Sequence, residues 1–152
     1  MKYRHSAQNP GEQTEIPSLG PIRSALAVAL IQTPHRFRSK RQLWTYSGLG
    51  LETRDSGEYH FVKGQVRRKK QVWIRGLNKD YNHDLKGLFE AAAIRASVLP
   101  GPFQDFYQRS LAKGIQPTMV RLTLARKIAA ITLTLWKKRE NFDIEKLKSQ
   151  AA

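Results

Sequence analysis

The stretch PTMVRLTLARKIAAITLTLW, residues 117–136, predicts a long helix at the centre of the hydrophobic core. Pro117 suits the first turn of a helix, where its missing N–H leaves no hydrogen bond unmade. Such a helix needs other elements to cover its wide apolar face, so the rest of the fold is expected to pack on it. The face consists of two adjacent stripes at helical spacing: Val120, Leu124, Ile128, Ile131 and Leu135, and Leu122, Ala125, Ala129, Thr132 and Trp136.

Two further helices are predicted just upstream by the same periodicity. The first begins at about Asp84 and stops at Leu99, where the sequence LPGP cannot continue a helix. The second covers about Phe103–Lys113 and ends at Gly114. The core face of the first helix is expected to contain Leu85, Leu88, Phe89, Ala92 and Ala96.

The segment IPSLGPIRSALAVAL, residues 16–30, predicts the first helix of the chain. Gly20 can cap its first turn and a proline follows, so a helix is expected over about Pro21–Gln32. The free N–H groups at such a helix start attract phosphate. This helix should pack closely on a second one, opened by Ser39 and ended by Gly48, through its small face of Ala25, Leu26, Ala29 and Leu30.

Residues 51–77 have the pattern of β-strands rather than helices. Lys63-Gly64 is typical of a hairpin turn, and the RRKK run Arg67–Lys70 would line an exposed strand or its turn. The fold class is therefore mainly α with a small central β-hairpin. The strand pattern comes from β-branched and aromatic residues: Tyr59, Phe61, Val62, Val66, Val72, Trp73 and Ile74.

Composition points to a polyanionic partner. The chain has 152 residues with 27 Lys plus Arg against 12 Asp plus Glu, a formal net charge of +15. Nucleic acid is the first expectation, and 40% hydrophobic residues argue against disorder. The absence of cysteine excludes disulfides and cysteine zinc sites. No apolar run approaches the roughly 20 residues that span a bilayer, and no signal peptide is recognisable, so a cytoplasmic protein with no membrane partner is expected.

Candidate catalytic residues are few. The histidines His5, His35, His60 and His83 lack metal-ligand spacing, and no carboxylates cluster, so no metal site is predicted in this chain. The segment TRDSGEYHF places Ser56 at a turn, close in sequence to Arg54. A serine hydroxyl attacks phosphorus only when a base or metal activates it and cations receive the charge. The residues themselves leave open whether Ser56 is a nucleophile or a turn residue.

Five ordered segments together resemble one known family: IPSLGPIRSA, TPHRFRSKRQLWTYSGL, TRDSGEYHF, RGLNKDYNHDLKGLFEAAA and LTLARKIAAITLTLWKK. They follow one another, over about residues 16–143, as in the C-terminal domain of the IS-one-ten family of insertion-sequence transposases, also called the transposase-twenty domain. The resemblance implies a DNA transposase that recombines through a serine nucleophile and is guided by a structured RNA. Residues 1–15 would be a flexible segment, 16–143 the transposase domain and 144–152 a polar tail.

The resemblance also implies site residues. Ser56 matches the motif serine and would attack the scissile phosphate, while the opening hairpin looks like the helix-hairpin-helix element that offers backbone amides to phosphate. Ser18 stands where the family usually has glycine. The nucleic-acid-binding set is expected to comprise Gly20, Arg23, Arg54, Lys63, Arg67, Arg68, Lys69, Lys70 and Arg75.

One departure from the family affects activity. Family members carry a preceding nuclease-like domain whose acidic residues hold Mg²⁺, and the sequence has no counterpart of it. The isolated chain is therefore expected to be inactive alone and to act with that domain in a complete, homo-oligomeric complex. Two alternatives remain: a stand-alone basic nucleic-acid-binding module without catalysis, and a ribosomal or other RNA-packing protein.

Overall fold

A computed structural model describes residues 18–55, 59–68 and 72–140. It confirms the predicted fold class, because most of the elements are helices and the β part is small. In chain order the elements are α1 (Pro21–Ile31), a 3₁₀ turn (Pro34–Arg36), α2 (Lys40–Tyr46), β1 (Leu51–Asp55), β2 (Tyr59–Val62), β3 (Gln65–Arg68), β4 (Val72–Leu77), α3 (His83–Val98), α4 (Pro102–Ala112) and α5 (Pro117–Lys138).

Helix α5 is the central element of the core, as its apolar stripes predict. It packs against α2, α3, α4 and the 3₁₀ turn. Residues of both predicted stripes lie on its buried face, whereas Ile131, Leu135 and Trp136 are half-buried at its edges. The fully covered positions are Val120, Leu124, Ala125, Ile128, Ala129, Thr132 and Leu133.

Helix α3 is the main partner of α5, and its start and end follow local chemistry. Asn82 caps the helix, since its side-chain oxygen accepts a hydrogen bond from the Leu85 N–H at 2.9 Å. Leu99 ends the helix before the proline that follows, as predicted. The predicted core face is confirmed, and Ala93 and Ser97 are buried in addition to Leu85, Leu88, Phe89, Ala92 and Ala96.

Helix α1 begins and ends close to the predicted bounds, but the prediction of its packed face is wrong. The buried residues are Ser24, Ala27 and Ile31, whereas Ala25, Leu26 and Ala29 are exposed. The apolar side chains of α1 lie on several of its sides, so periodicity alone cannot predict which side is buried. Packing against α3 selects it, whereas the main contacts of α2 are with α5. Ser39 occupies the N-cap of α2 as predicted, but its side chain makes no capping hydrogen bond.

The strands form two antiparallel pairs, one nested inside the other, which we call the ribbon. β1 pairs with β4, and the hairpin of β2 and β3 lies between them in the chain. From Thr53 onward the two pairs share one register, because Asp55 faces Val72 and Tyr59, four residues later, faces Arg68, four residues earlier than Val72. Between Leu51 and Thr53 the register of β1 and β4 shifts at a bulge or irregularity. The hairpin was predicted, whereas the pairing of β1 with β4 was not.

Candidate nucleic-acid interface

The tip of the ribbon is an exposed basic hairpin. Lys63 and Gly64 have φ angles of 50° and 76°, the left-handed conformation that a tight two-residue hairpin turn requires. Every residue from Tyr59 to Arg67 is exposed. The hairpin therefore presents Lys63 and Arg67 to solvent, as expected for residues that contact a polyanion.

Most of the predicted binding residues lie on the ribbon. Arg54 is in β1 opposite Trp73, Arg67 and Arg68 are in β3 opposite His60 and Tyr59, and Arg75 is in β4. The fold thus places Arg54 and Arg75 in the outer antiparallel pair of the ribbon, and Lys63, Arg67 and Arg68 in its inner hairpin. Ser56, Lys69 and Lys70 fall outside the described residues, so their predicted roles rest on the sequence.

The base of the ribbon is fastened to α2 and α5. The Arg126 Nε donates to the Leu49 carbonyl at 2.7 Å, and the Trp44 indole N–H donates to the Arg126 carbonyl at 3.0 Å. The Asn78 N–H donates to the Gly50 carbonyl at 3.0 Å, closing the other side. Burial lowers the pKa of Arg126 from its usual value, although an arginine stays charged at neutral pH. This guanidinium therefore serves to hold the chain entering β1.

Close packing also fixes the turn before β1. Gly48 has a φ of +70°, and a Cβ at this position would lie 2.5 Å from the Tyr81 ring. Only glycine meets both conditions without displacing that ring. The turn that leads into the ribbon is thereby held between α2 and the segment before α3.

The start of α1 is the second predicted phosphate site. Gly20 is the N-cap, no side chain caps the helix, and Arg23 is half-buried in its first turn. The space beside Gly20 is open, because a Cβ there would meet no atom within 4 Å. A helix-hairpin-helix element has one helix on each side of its hairpin. The described residues begin at Ser18, so they include α1, the helix after the PSLGP turn, but not the segment before that turn. Gly20 and Arg23 lie on an element separate from the ribbon.

A Gly20→Val substitution tests this helix start. Gly20 has a φ of −64° and open space around it, so valine fits without backbone strain. We expect unchanged helical circular dichroism and a several-fold loss of DNA affinity, since the side chain obstructs phosphate approach to the free N–H groups. A control Gly87→Ala variant, at an exposed position of α3, should keep full affinity. Full DNA binding by a folded Gly20→Val protein would remove this element from the interface.

A second basic surface appears only in the folded protein. The Lys137 ammonium donates to the carbonyls of Phe37 and Arg38, which joins the end of α5 to the segment before α2. Exposed cations from both segments thereby become neighbours. No sequence pattern joins the two segments, because about a hundred residues separate them. The exposed members of this surface are Arg36, Arg38, Lys40, Arg41, Lys138 and Arg139.

The described part of the chain contains neither a cluster of metal ligands nor a membrane-spanning helix. Within residues 18–55, 59–68 and 72–140, no group of three or more His, Asp or Glu side chains could hold a metal ion. Over the same ranges, no helix is long and apolar enough to cross a membrane.

These features define a basic, mainly helical domain with an exposed β-hairpin and two cationic surfaces. The family model described as "Transposase IS116/IS110/IS902 family" matches residues 13–108. The chain belongs to this transposase family, which confirms the resemblance read from the five sequence segments. It is also 30% identical over 112 residues to the "Insertion element IS116 uncharacterized 44.8 kDa protein" of Streptomyces clavuligerus. That match covers 74% of this chain but 25% of the relative, so the chain spans about a quarter of the relative's length.

Proposed function

We propose that this chain is the part of an insertion-sequence transposase that binds DNA and supplies a serine nucleophile for strand cleavage and rejoining. The observation that supports it most is the exposed basic hairpin that follows Ser56 in a chain of this transposase family. Its cations can neutralise phosphates close to the serine. The proposed setting is the bacterial cytoplasm, on DNA.

The proposed reaction is an exchange of phosphate esters. The Ser56 oxygen forms a bond to phosphorus, the bond to one strand oxygen breaks, and the serine proton passes to a base. Rejoining reverses the exchange with a new strand oxygen as the attacking group. The proposed roles of Arg54 and Arg67 are to stabilise the charge that develops on the phosphate oxygens.

The proposed function also requires partners other than DNA. A nuclease-like domain would supply the carboxylates that hold Mg²⁺, a guide RNA would direct the complex, and copies of the chain would assemble. The stand-alone binding module differs from this proposal in one respect, since it would bind DNA without ever forming a covalent intermediate.

Salt titration of DNA binding tests the interface. Binding that neutralises phosphates releases counterions, so log affinity should fall with log salt by about 0.9 per phosphate contacted on duplex DNA. Replacing Arg67, Arg68, Lys69 and Lys70 by alanine should make that slope less steep by about 2 to 4 units and weaken binding at low salt. Fluorescence anisotropy with a labelled duplex measures both quantities.

A control variant that loses the same number of charges elsewhere distinguishes a direct phosphate contact from an effect of the overall charge. Four exposed cations outside the ribbon are Arg95 on α3, Arg109 on α4, Lys113 at the C-cap of α4 and Arg121 on α5. Their replacement by alanine removes as many charges but should leave the slope nearly unchanged. Equal effects from both variants would show that the ribbon is not the contact surface, and a slope unchanged in both would move the interface to the second basic surface.

A further inference from the structure

One face of the hairpin is apolar and uncovered. Side chains alternate between the two faces of a strand, which puts Tyr59 and Phe61 on the same face. Val66 lies directly opposite Phe61 and joins them. Their exposed fractions are 65% for Tyr59, 78% for Phe61 and 57% for Val66. Two aromatic rings and a branched side chain therefore lie side by side in water.

Exposed aromatic residues on a short hairpin do not stabilise the core. More than half of each side chain stays in water, so the hydrophobic effect gains little from them in the free protein. A polar residue would serve equally well for solubility at each of these positions. Their clustering on one face indicates that another molecule covers them.

The positive charge of the hairpin indicates which kind of molecule covers its apolar face. Residues 59–68 contain His60, Lys63, Arg67 and Arg68 and no carboxylate. A second copy of this hairpin would bring like charges together, which opposes self-association through this face. The occupant should instead be anionic and should offer flat apolar surfaces. Nucleic acid has both properties when its bases are unpaired, because aromatic side chains stack on the faces of single-stranded bases.

The short connection between Ser56 and Tyr59 keeps this face near the proposed reaction. Three residues span at most about 11 Å, so the Cα of Tyr59 lies within that distance of the Cα of Ser56. This distance corresponds to about three base-pair rises along a DNA strand. Strand exchange at a cut site requires bases near the cut to leave the duplex, which would supply unpaired bases at the face.

We propose that Tyr59 and Phe61 form a stacking platform for unpaired DNA bases beside the cleaved phosphate, while Lys63 in the adjoining turn contacts a flanking phosphate. The inference rests on the proposed function, since it takes DNA as the partner and Ser56 as the position of cleavage. It assigns the platform to single-stranded DNA rather than to duplex DNA, RNA or another protein copy.

A Tyr59→Ala/Phe61→Ala variant of the full chain tests the platform. Because stacking on an aromatic side chain contributes substantially per base, single-stranded DNA should bind about 10- to 100-fold more weakly, with duplex affinity changed less than about threefold. The salt slope should stay unchanged, since no charge is removed. Anisotropy with a labelled thymidine oligonucleotide, its duplex and the RNA of equal length provides the comparison, and circular dichroism verifies folding.

Two control variants make the test specific. A Tyr59→Phe/Phe61→Tyr variant keeps both rings and should bind single-stranded DNA like the unaltered chain. An Ile94→Ala/Val98→Ala variant removes side chains that are 52% and 68% exposed on α3 and should also bind normally. A loss in this second control equal to that in the hairpin variant would overturn the platform.

The remaining outcomes distinguish a failure of the stacking platform from a failure of the proposed function. If the unaltered chain binds no nucleic acid, the proposed function is wrong. If it binds DNA with a normal salt slope but the alanine variant keeps full affinity for single strands, only the platform is wrong. Stronger dependence of RNA binding on the two rings would assign the face to RNA. Dissociation of a dimer by the substitutions, seen in sedimentation, would assign it to a second copy, and either result would overturn the proposal.

Discussion

A Ser56→Ala variant is expected to form no covalent protein–DNA adduct and to keep its DNA affinity. The proposed nucleophile is the Ser56 hydroxyl, and alanine removes it without removing a phosphate-binding cation. The chain, the nuclease-like domain, Mg²⁺, guide RNA and element DNA are combined, and adducts are detected as species that survive denaturing electrophoresis. The unaltered chain should give the adduct in this mixture and none when it is incubated with DNA by itself.

Two serine variants make the result interpretable. Ser39 is exposed and makes no capping hydrogen bond with its side chain, so Ser39→Ala should give a normal adduct. Ser56→Cys should retain a trace, because a thiolate is nucleophilic although its geometry differs. Normal cleavage by Ser56→Ala would assign the attack to water or another group and leave Ser56 as a turn residue. Unimpaired DNA binding with no adduct from any variant or the unaltered chain would favour the stand-alone binding module.

A Phe89→Ala variant is expected to lose about 3 to 5 kcal/mol of unfolding free energy. Phe89 is fully buried on α3 and belongs to the core that α3 and α5 share. Alanine removes the transfer free energy of the ring and leaves a cavity that the surrounding helices fill only in part. Urea unfolding followed by circular dichroism measures the change, provided that the unfolding slope stays the same.

The hairpin offers a matched control for this loss. Phe61→Ala removes the same ring from a side chain that is 78% exposed, so its unfolding free energy should change by less than about 0.5 kcal/mol. Equal losses at the two positions would contradict the burial that the structure gives them. A small effect at Phe89 would mean that the α3–α5 contact contributes little to stability.

Local sequence signals predicted the helices because each depends on neighbours in the chain. Pro117 and the repeated apolar residues of α5 mark a helix whose core face is wide, so most choices of partner bury the same side chains. Lys63-Gly64 likewise predicts a hairpin, since the positive φ angles of a two-residue turn are a local requirement. The family was also recognisable from ordered segments of the sequence, and the family match confirms it.

Nonlocal contacts could not be predicted in the same way. Leu51–Asp55 becomes a strand because Val72–Leu77 pairs with it, and the two are separated by the whole hairpin.

By itself, the sequence determined the helical class, the position of the hairpin, the strong positive charge and the family. Tertiary structure decided which face of α1 is buried, because apolar residues occupy several of its sides and contact with α3 selects Ser24, Ala27 and Ile31. It also decided that Lys137 meets the carbonyls of Phe37 and Arg38 and so creates the second basic surface. The physical reason is common to both: short-range preferences act through neighbouring residues, whereas packing energies depend on segments that only the folded chain brings together.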